Sequence, residues 1–282
     1  MLATTCRCTI GRAARGPGSR VRVVSWNVNS IRARRDAVLA WTARHAPDVL
    51  CLQETKCRDD DFPYDEIEAI GYSVAHHGRD HWNGVAIASR VGLTDVRAGF
   101  PGPQAAPYDE ARLLAATCGG LRVYSVYVPN GRELDDPHYL FKLVWLERLR
   151  GAVLADTAAP GALPVVLAGD FNVAPTDQDI YDPARWRRRT HASPPERAAI
   201  AALRDLGLRD VVRDLHPDEP CFTWWSYRPQ MFPADRGLRI DLVLASEVVA
   251  ARVCAASVDR DARAEPMASD HAPVVVDLRD EP

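Results

Sequence analysis

The chain has 282 residues, 47% of them hydrophobic and 26% charged, enough for a sizeable core in one large unit or two small ones. Its formal net charge of −3 gives no global attraction for nucleic acid, so only a local cluster of basic residues could supply one. Seven scattered cysteines with no C-x-x-C pair read as reduced thiols of a cytosolic protein, not as a disulfide framework or a zinc site.

No apolar stretch approaches membrane-spanning length. Residues 1–20 are rich in Arg and Gly and lack an apolar signal core. They are expected to be a disordered leader, with one domain over 21–282. VRVVSWN (21–27) reads as a strand, and the helical spacing of Ile31, Val38, Trp41 and His45 predicts a helix over 31–46 that stops at Pro47. A buried strand follows at 48–54 and a short helix at 63–71. Strands are predicted at 83–89, 112–118 and 121–128, the last two joined as a hairpin through Gly119-Gly120. Residues 137–156 read as a helix whose apolar side carries Leu140, Leu143, Val144, Leu146 and Leu149. PVVLAGD is a buried strand, 194–207 a helix opened by Pro and closed by Gly, and 239–246, 249–258 and 271–278 are closing strands. Hairpins mixed with strand–helix–strand runs imply an α/β or α+β sandwich with mixed sheets. PDVLCLQE and PVVLAGD echo one another, each an apolar strand opened after Pro and ended by an acid.

Polar groups recur at the ends of these apolar runs. Asn27 ends the first strand, Glu54 the second, and Asp170 with Asn172 the strand VVLAGD. Asp241 opens RIDLVL, and Asp270-His271 precede PVVV. Convergent carboxylates repel and lose hydration, and only two lysines, Lys56 and Lys142, occur to offset them. A divalent cation is the economical compensation, and Asp, Glu and Asn oxygens suit Mg²⁺ or Mn²⁺ better than zinc. Alternation along a strand would turn Asp170 and Asn172 to one side and Phe171 to the other. His271 adds a group titrating near neutrality, which Asp241 could orient. G-x-S-x-G, the P-loop and G-x-G-x-x-G are all absent, which leaves metal-assisted attack by water, most naturally on a phosphodiester.

SWNVNSIRAR (25–34), PDVLCLQETK (47–56), WNGVAIASR (82–90), YVPNG (127–131), GDFNVAPTD (169–177), GLRIDLVLAS (237–246) and SDHAPVVV (269–276) resemble, in order, the signatures of the exonuclease III family of apurinic/apyrimidinic endonucleases. The resemblance spans about Val21 to Leu278. It implies an α/β fold, a four-layered sandwich with two mixed β-sheets packed between helices. It also implies a DNA-repair phosphodiesterase that incises 5′ to abasic sites, with 3′→5′ exonuclease and 3′-phosphatase activity. By the same resemblance Glu54 binds Mg²⁺ with Asn27 beside it, and Asp270, Asp170 and Asn172 complete the metal end. Asp170 activates the attacking water, and Asn172 holds a phosphate oxygen. Tyr127 contacts the phosphate or leaving group, and His271, oriented by Asp241, stabilises the pentacovalent phosphate. Asn29 stands where the wider superfamily carries a second acid. Asn130 and Arg132 are candidate substrate contacts, and Trp224, Leu238 and Ile240 a pocket for a base-less sugar. The partner implied is double-stranded DNA with abasic sites or 3′ ends, met by a monomer with no membrane contact. RARR (32–35) and RWRRR (185–189) are the candidate phosphate-binding runs. The rival readings are a superfamily phosphatase with a non-DNA substrate and a silent DNA-binding homologue.

Overall fold

The structure, a computed structural model, describes residues 20–102 and 110–280. The leader expected over 1–20 lies, apart from Arg20, outside them, as do Cys6 and Cys8. The strands are β1 (Arg20–Asn27), β2 (Val49–Gln53), β3 (Ser73–His77), β4 (Val85–Ser89), β5 (Thr94–Ala98) and β6 (Leu113–Cys118), then β7 (Leu121–Tyr127), β8 (Val165–Asp170), β9 (Leu208–Asp210), β10 (Asp241–Ser246), β11 (Val253–Val258) and β12 (Val274–Arg279). They form two six-stranded mixed sheets, ordered β11-β12-β1-β2-β4-β3 and β5-β6-β7-β8-β10-β9.

Alternation along the strands builds four layers. Val21, Val23, Cys51, Ile87 and Val276 of the first sheet meet Leu114, Val123, Val166 and Val243 of the second in a shared apolar core. The opposite face of the first sheet, with Val24, Trp26, Leu50 and Leu52, takes Ile31, Val38 and Trp41 of helix Ile31–His45. The opposite face of the second takes Phe141, Trp145, Leu149 and Val153 of helix Pro137–Ala158 and Ile200 and Leu203 of helix Pro194–Arg204. The echo between PDVLCLQE and PVVLAGD has a structural counterpart. Each is the fourth strand of its sheet, parallel to the third and antiparallel to the fifth.

Several sequence expectations are corrected. Leu140 and Val144 face solvent; the buried stripe of their helix runs through Phe141, Trp145, Leu149 and Val153, spaced by four. The strand expected over 249–258 is split: Glu247–Ala250 is a helical turn and β11 begins at Val253. The Gly119-Gly120 turn and the helix opened by Pro194 stand as expected. Both glycines have positive φ, 55° and 84°. Ser193 and Glu196 form a capping box at the helix start. Among the described residues, five cysteines are all free, and no helix is long and apolar enough to cross a membrane.

Candidate active site

One edge of the sandwich collects the polar strand ends. β1 and β2 are parallel, as are β7 and β8, so their C-terminal ends deliver Asn27, Glu54, Tyr127 and Asp170. β10 runs antiparallel to β8, and β12 antiparallel to β1, so the same edge receives Asp241 and, just before β12, Asp270 and His271. Terminal acids on some strands and initial acids on others therefore meet.

At the centre, His271 Nδ1 lies 2.9 Å from Asp241 Oδ2, and its Nε2 lies 3.8 Å from Asp170 Oδ2. Asn27 joins the two sheets: its Nδ2 donates to Glu54 Oε1 at 2.8 Å and to Asp170 Oδ2 at 3.0 Å. Asp170 Oδ1 accepts from the Asn172 amide N at 2.8 Å. Lys56 Nζ pairs with Glu54 Oε2 at 2.7 Å and with Asn29 Oδ1 at 2.5 Å. Burial and the neighbouring Glu54 carboxylate push the Tyr127 phenol well up, and the Arg112 guanidinium lies 4.4 Å from the centre of its ring.

The electrostatics follow from burial. Loss of hydration raises the Asp170 carboxyl well above the usual range, reinforced by Asp241 and Glu54 and opposed by His271. Burial works against charge on His271, but the Asp241 and Asp170 carboxylates outweigh it and hold the ring as an imidazolium. Glu54 is kept ionised against burial by Lys56 and Asn27.

Asp170 and Asn172 meet, though by different geometry from simple alternation. β8 ends at Asp170, and Asn172 turns back with φ 50°. Its Nδ2 donates to the Val128 carbonyl at 2.9 Å and to Asp170 Oδ2 at 3.2 Å. Phe171 packs into the core of the second sheet as expected. Left-handed backbone also occurs at Asn29, Glu54, Lys56, Arg132 and His191, so strained conformations cluster around this edge.

Glu54, Asp170 and His271 bring ligand atoms within 4.8 Å of one another. Asp270 stands outside that group, and Asn29 Nδ2 and Trp224 Nε1 each donate to one of its oxygens at 2.9 Å. Asn27 faces Glu54 and Asp170 with its donor nitrogen, while its Oδ1 accepts from the Asn29 amide at 3.0 Å. Asn172 likewise acts as a brace. The residues present still fit a hard cation. Glu54, Asp170, Asp241 and Asp270 face two cations, Lys56 and His271, and among the described residues the buried Asp241 Oδ1 has no partner.

Around this centre, Trp224 is half-buried against Leu238, Ile240, Ile180 and Trp186. Leu238 and Ile240 are covered, at 0% and 2% exposure, so Trp224 and Trp186 form the partly exposed face of that cluster. A cavity of about 390 Å³ opens beside Tyr127, lined by Trp82, Asn83, Arg112, Asn130 and Arg132. Arg132 is exposed there and pairs with Asp136 at 3.6 Å. Asn130 Nδ2 lies 3.3 Å from Asn172 Oδ1. The two basic runs differ: Arg187, Arg188 and Arg189 are exposed, whereas Arg34 bonds Tyr227 and the Met267 carbonyl, each at 2.9 Å. Two contributors escaped the sequence reading: Arg112 carried no motif of its own, and His191, whose Nε2 lies 3.0 Å from Asn172 Oδ1, is an isolated histidine in a polar stretch.

Two helix-flanked mixed sheets with carboxylates, amides and an imidazolium at one edge define a hydrolytic centre for an anionic ester, dependent on a metal. The model of the endonuclease/exonuclease/phosphatase family matches residues 24–271. Exodeoxyribonuclease III of Haemophilus influenzae is 33% identical over 92% of this chain and 100% of its own. Among solved structures, the Neisseria 3′ phosphatase NExo bound to a product DNA hairpin is 39% identical, with a TM-score of 0.88 over 92% of this chain and 99% of that one. An AP endonuclease from Archaeoglobus fulgidus is 35% identical, with a TM-score of 0.87 over 93% and 100%. The chain belongs to the endonuclease/exonuclease/phosphatase family and, within it, to the exonuclease III type of DNA-repair nuclease.

Proposed function

We propose that this protein hydrolyses phosphodiester and phosphomonoester bonds of damaged duplex DNA, incising 5′ to abasic sites and clearing blocked 3′ ends, as a cytoplasmic monomer with Mg²⁺ as its ion and Mn²⁺ as a substitute. The observation that carries this reading is the His271 imidazolium clamped at 2.9 Å by Asp241, beside an Asp170 carboxylate whose proton affinity is raised. The relatives that cleave abasic DNA and 3′ ends support the substrate class.

When bound at Glu54, a divalent cation supplies positive charge to the scissile phosphate. The chain does the rest. Asp170, with its basicity raised by burial, takes the proton of the attacking water. His271 faces the phosphate oxygens, on which negative charge builds in the transition state, and Asn172, its Nδ2 held on Val128 and Asp170, keeps Asp170 aimed at the attacking water. Tyr127 orients the phosphate, and Arg187 to Arg189 with Arg132 contact the flanking backbone without reading sequence. The partly exposed Trp224 and Trp186 cover the sugar once its base is gone.

The decisive experiment digests an abasic-site duplex, a blunt duplex and a 3′-phosphate duplex side by side. Cleavage should vanish in EDTA and return with Mg²⁺ or Mn²⁺. Full activity in EDTA would remove the metal from the mechanism. Inertness on all three duplexes would remove DNA as the substrate.

A further inference from the structure

Lys142 and Glu196 are both completely buried and paired with each other. Such a pair adds little to stability over apolar side chains of similar volume, because each charge gives up its hydration. Where its hydrogen bonds go is informative. Lys142 Nζ donates to the carbonyls of Asn172 at 2.8 Å and Asn130 at 3.2 Å, and to Thr190 Oγ1 at 3.3 Å. Glu196 accepts from the backbone N–H of His191 at 2.9 Å and of Ser193 at 3.0 Å, and from Thr190 Oγ1 at 2.8 Å. The pair therefore ties together three loops: the one after β7, the one after β8, and the approach to helix Pro194–Arg204. Gly131 closes the packing. A side chain there would begin 3.1 Å from Lys142 Cδ and 2.8 Å from Thr190 Oγ1.

The bonds continue outward to the site. His191, fixed at its backbone by Glu196, places Nε2 3.0 Å from Asn172 Oδ1 and 3.2 Å from Asn130 Nδ2. Asn172 already directs its Nδ2 to Val128 and Asp170, so its oxygen faces His191 and the matching tautomer carries the proton on Nε2; Asn130 Nδ2, also a donor, then bonds Asn172 Oδ1 at 3.3 Å and not the ring. Burial, and then the Lys142 charge, keep that ring neutral, with a single proton to place. Both ends of Asn172 are thereby fixed.

We propose that Lys142 and Glu196 are positioning residues that act through His191 and the backbone to hold the Asn172 and Asn130 amides in their working orientation. This rests on the role given above to Asn172. The tests are the double variant Lys142→Met/Glu196→Leu, which replaces the pair by apolar groups, and the single variant Glu196→Gln, which keeps the shape and removes the charge. Each is assayed on the 3′-phosphate duplex at saturating cation, with melting temperature and Mn²⁺ affinity measured alongside. The double variant should fold and bind Mn²⁺ as the parent does, yet lose about 10–100-fold in kcat with KM changed by less than about threefold, the size expected when a contacting group shifts by an ångström. Glu196→Gln should lose less. A purely structural pair would lower melting temperature and leave kcat of the folded protein unchanged; that result, in either variant, overturns the proposal. The exchange rate of the Asn172 side-chain amide, read by NMR, is the second arm and needs no activity. It should be slow in the parent and fast in both variants, and unchanged exchange also overturns the proposal. If the parent cleaves none of the duplexes, the catalytic reading falls while the exchange measurement still decides the positioning.

Discussion

Asp170 is a charge kept where water cannot hydrate it, at 1% exposure. Replacing it by asparagine should lower turnover by about 10²–10⁴-fold, the range for a positioned acid–base group. It should not lower the melting temperature in EDTA, because a buried charge is removed; a clear destabilisation would make Asp170 a structural rather than a reactive group. His271→Ala should match the loss in turnover but cost stability, since it leaves Asp241 unpaired. Trp224 is tested differently. Its ring is half-buried and its Nε1 bonds Asp270, so Trp224→Ala should cost about 1–2 kcal/mol, below the usual 3–5 for a core tryptophan. Abasic-site cleavage should fall while attack on a simple phosphodiester survives; a parallel fall of both with the melting temperature would return Trp224 to the core. At this scale much of the centre was legible. Asn27, Glu54, Asp170, Asp241 and His271 each abut an apolar strand, where a polar group is conspicuous. Lys142 and His191 were not, because their partners arrive from loops far away in sequence and no spacing records the meeting.

Strand β8 shows how an element constrains the residue at its tip. A Cβ on Gly169 would sit 1.9 Å from the Val126 carbonyl oxygen of the neighbouring strand, and backbone cannot yield there. Gly169→Ala should therefore cost about 3 kcal/mol or more and displace Asp170, with both effects seen in urea unfolding and turnover. If neither moves, β7 and β8 approach less closely than described. Glu110, just before β6, gives the pH test. Burial would raise its carboxyl, but His138 and Arg112 reverse that and hold it down at about 2. Its contribution is thus present above about pH 4.5, the unfolded value, and is lost as pH falls through about 2. Glu110→Gln should cost about 1–2 kcal/mol at pH 7, allowing for partial solvent screening, and the gap from the parent should close between pH 4.5 and 2. A constant gap would assign the effect to shape. The strands missed in the sequence were β3, β5 and β9, and each lies at an edge of its sheet. Edge strands are short or half-solvated and carry polar residues, as TDVRA of β5 does, so apolar patterning misses most of them, and only β11, with its apolar Val253–Val258, was found among the edges.

Across the whole molecule, the centre belongs to neither sheet alone. Glu54 follows a strand of the first and Asp170 ends one of the second, so a bound cation should act as a staple. At a hundredfold excess over its dissociation constant it should add about 2.7 kcal/mol to stability, a rise that EDTA reverses. No rise at saturating Mn²⁺ would mean that the ion is held outside the fold. The four layers were foreseeable from the seven ordered motifs, whereas the assignment of strands to sheets was not, since it is fixed by pairing between distant segments. The first sheet shows this best. β12 lies between β11 and β1, so a strand from the end of the chain is inserted beside one from its beginning. During synthesis, every other strand leaves the ribosome before β12 does. Until then β1 has an open side, and the imidazole of His271, three residues ahead of β12, has not been placed. On the proposed mechanism, a chain ended before His271 would carry Glu54 and Asp170 without the imidazolium beside them and should not cut DNA. Synthesis of His271 and β12 would then be the step that arms the site, and a nuclease made beside a genome would have no active half-built form. Ribosome-bound chains stalled at residue 265 should be inert on all three duplexes, with activity appearing only on release of the full chain.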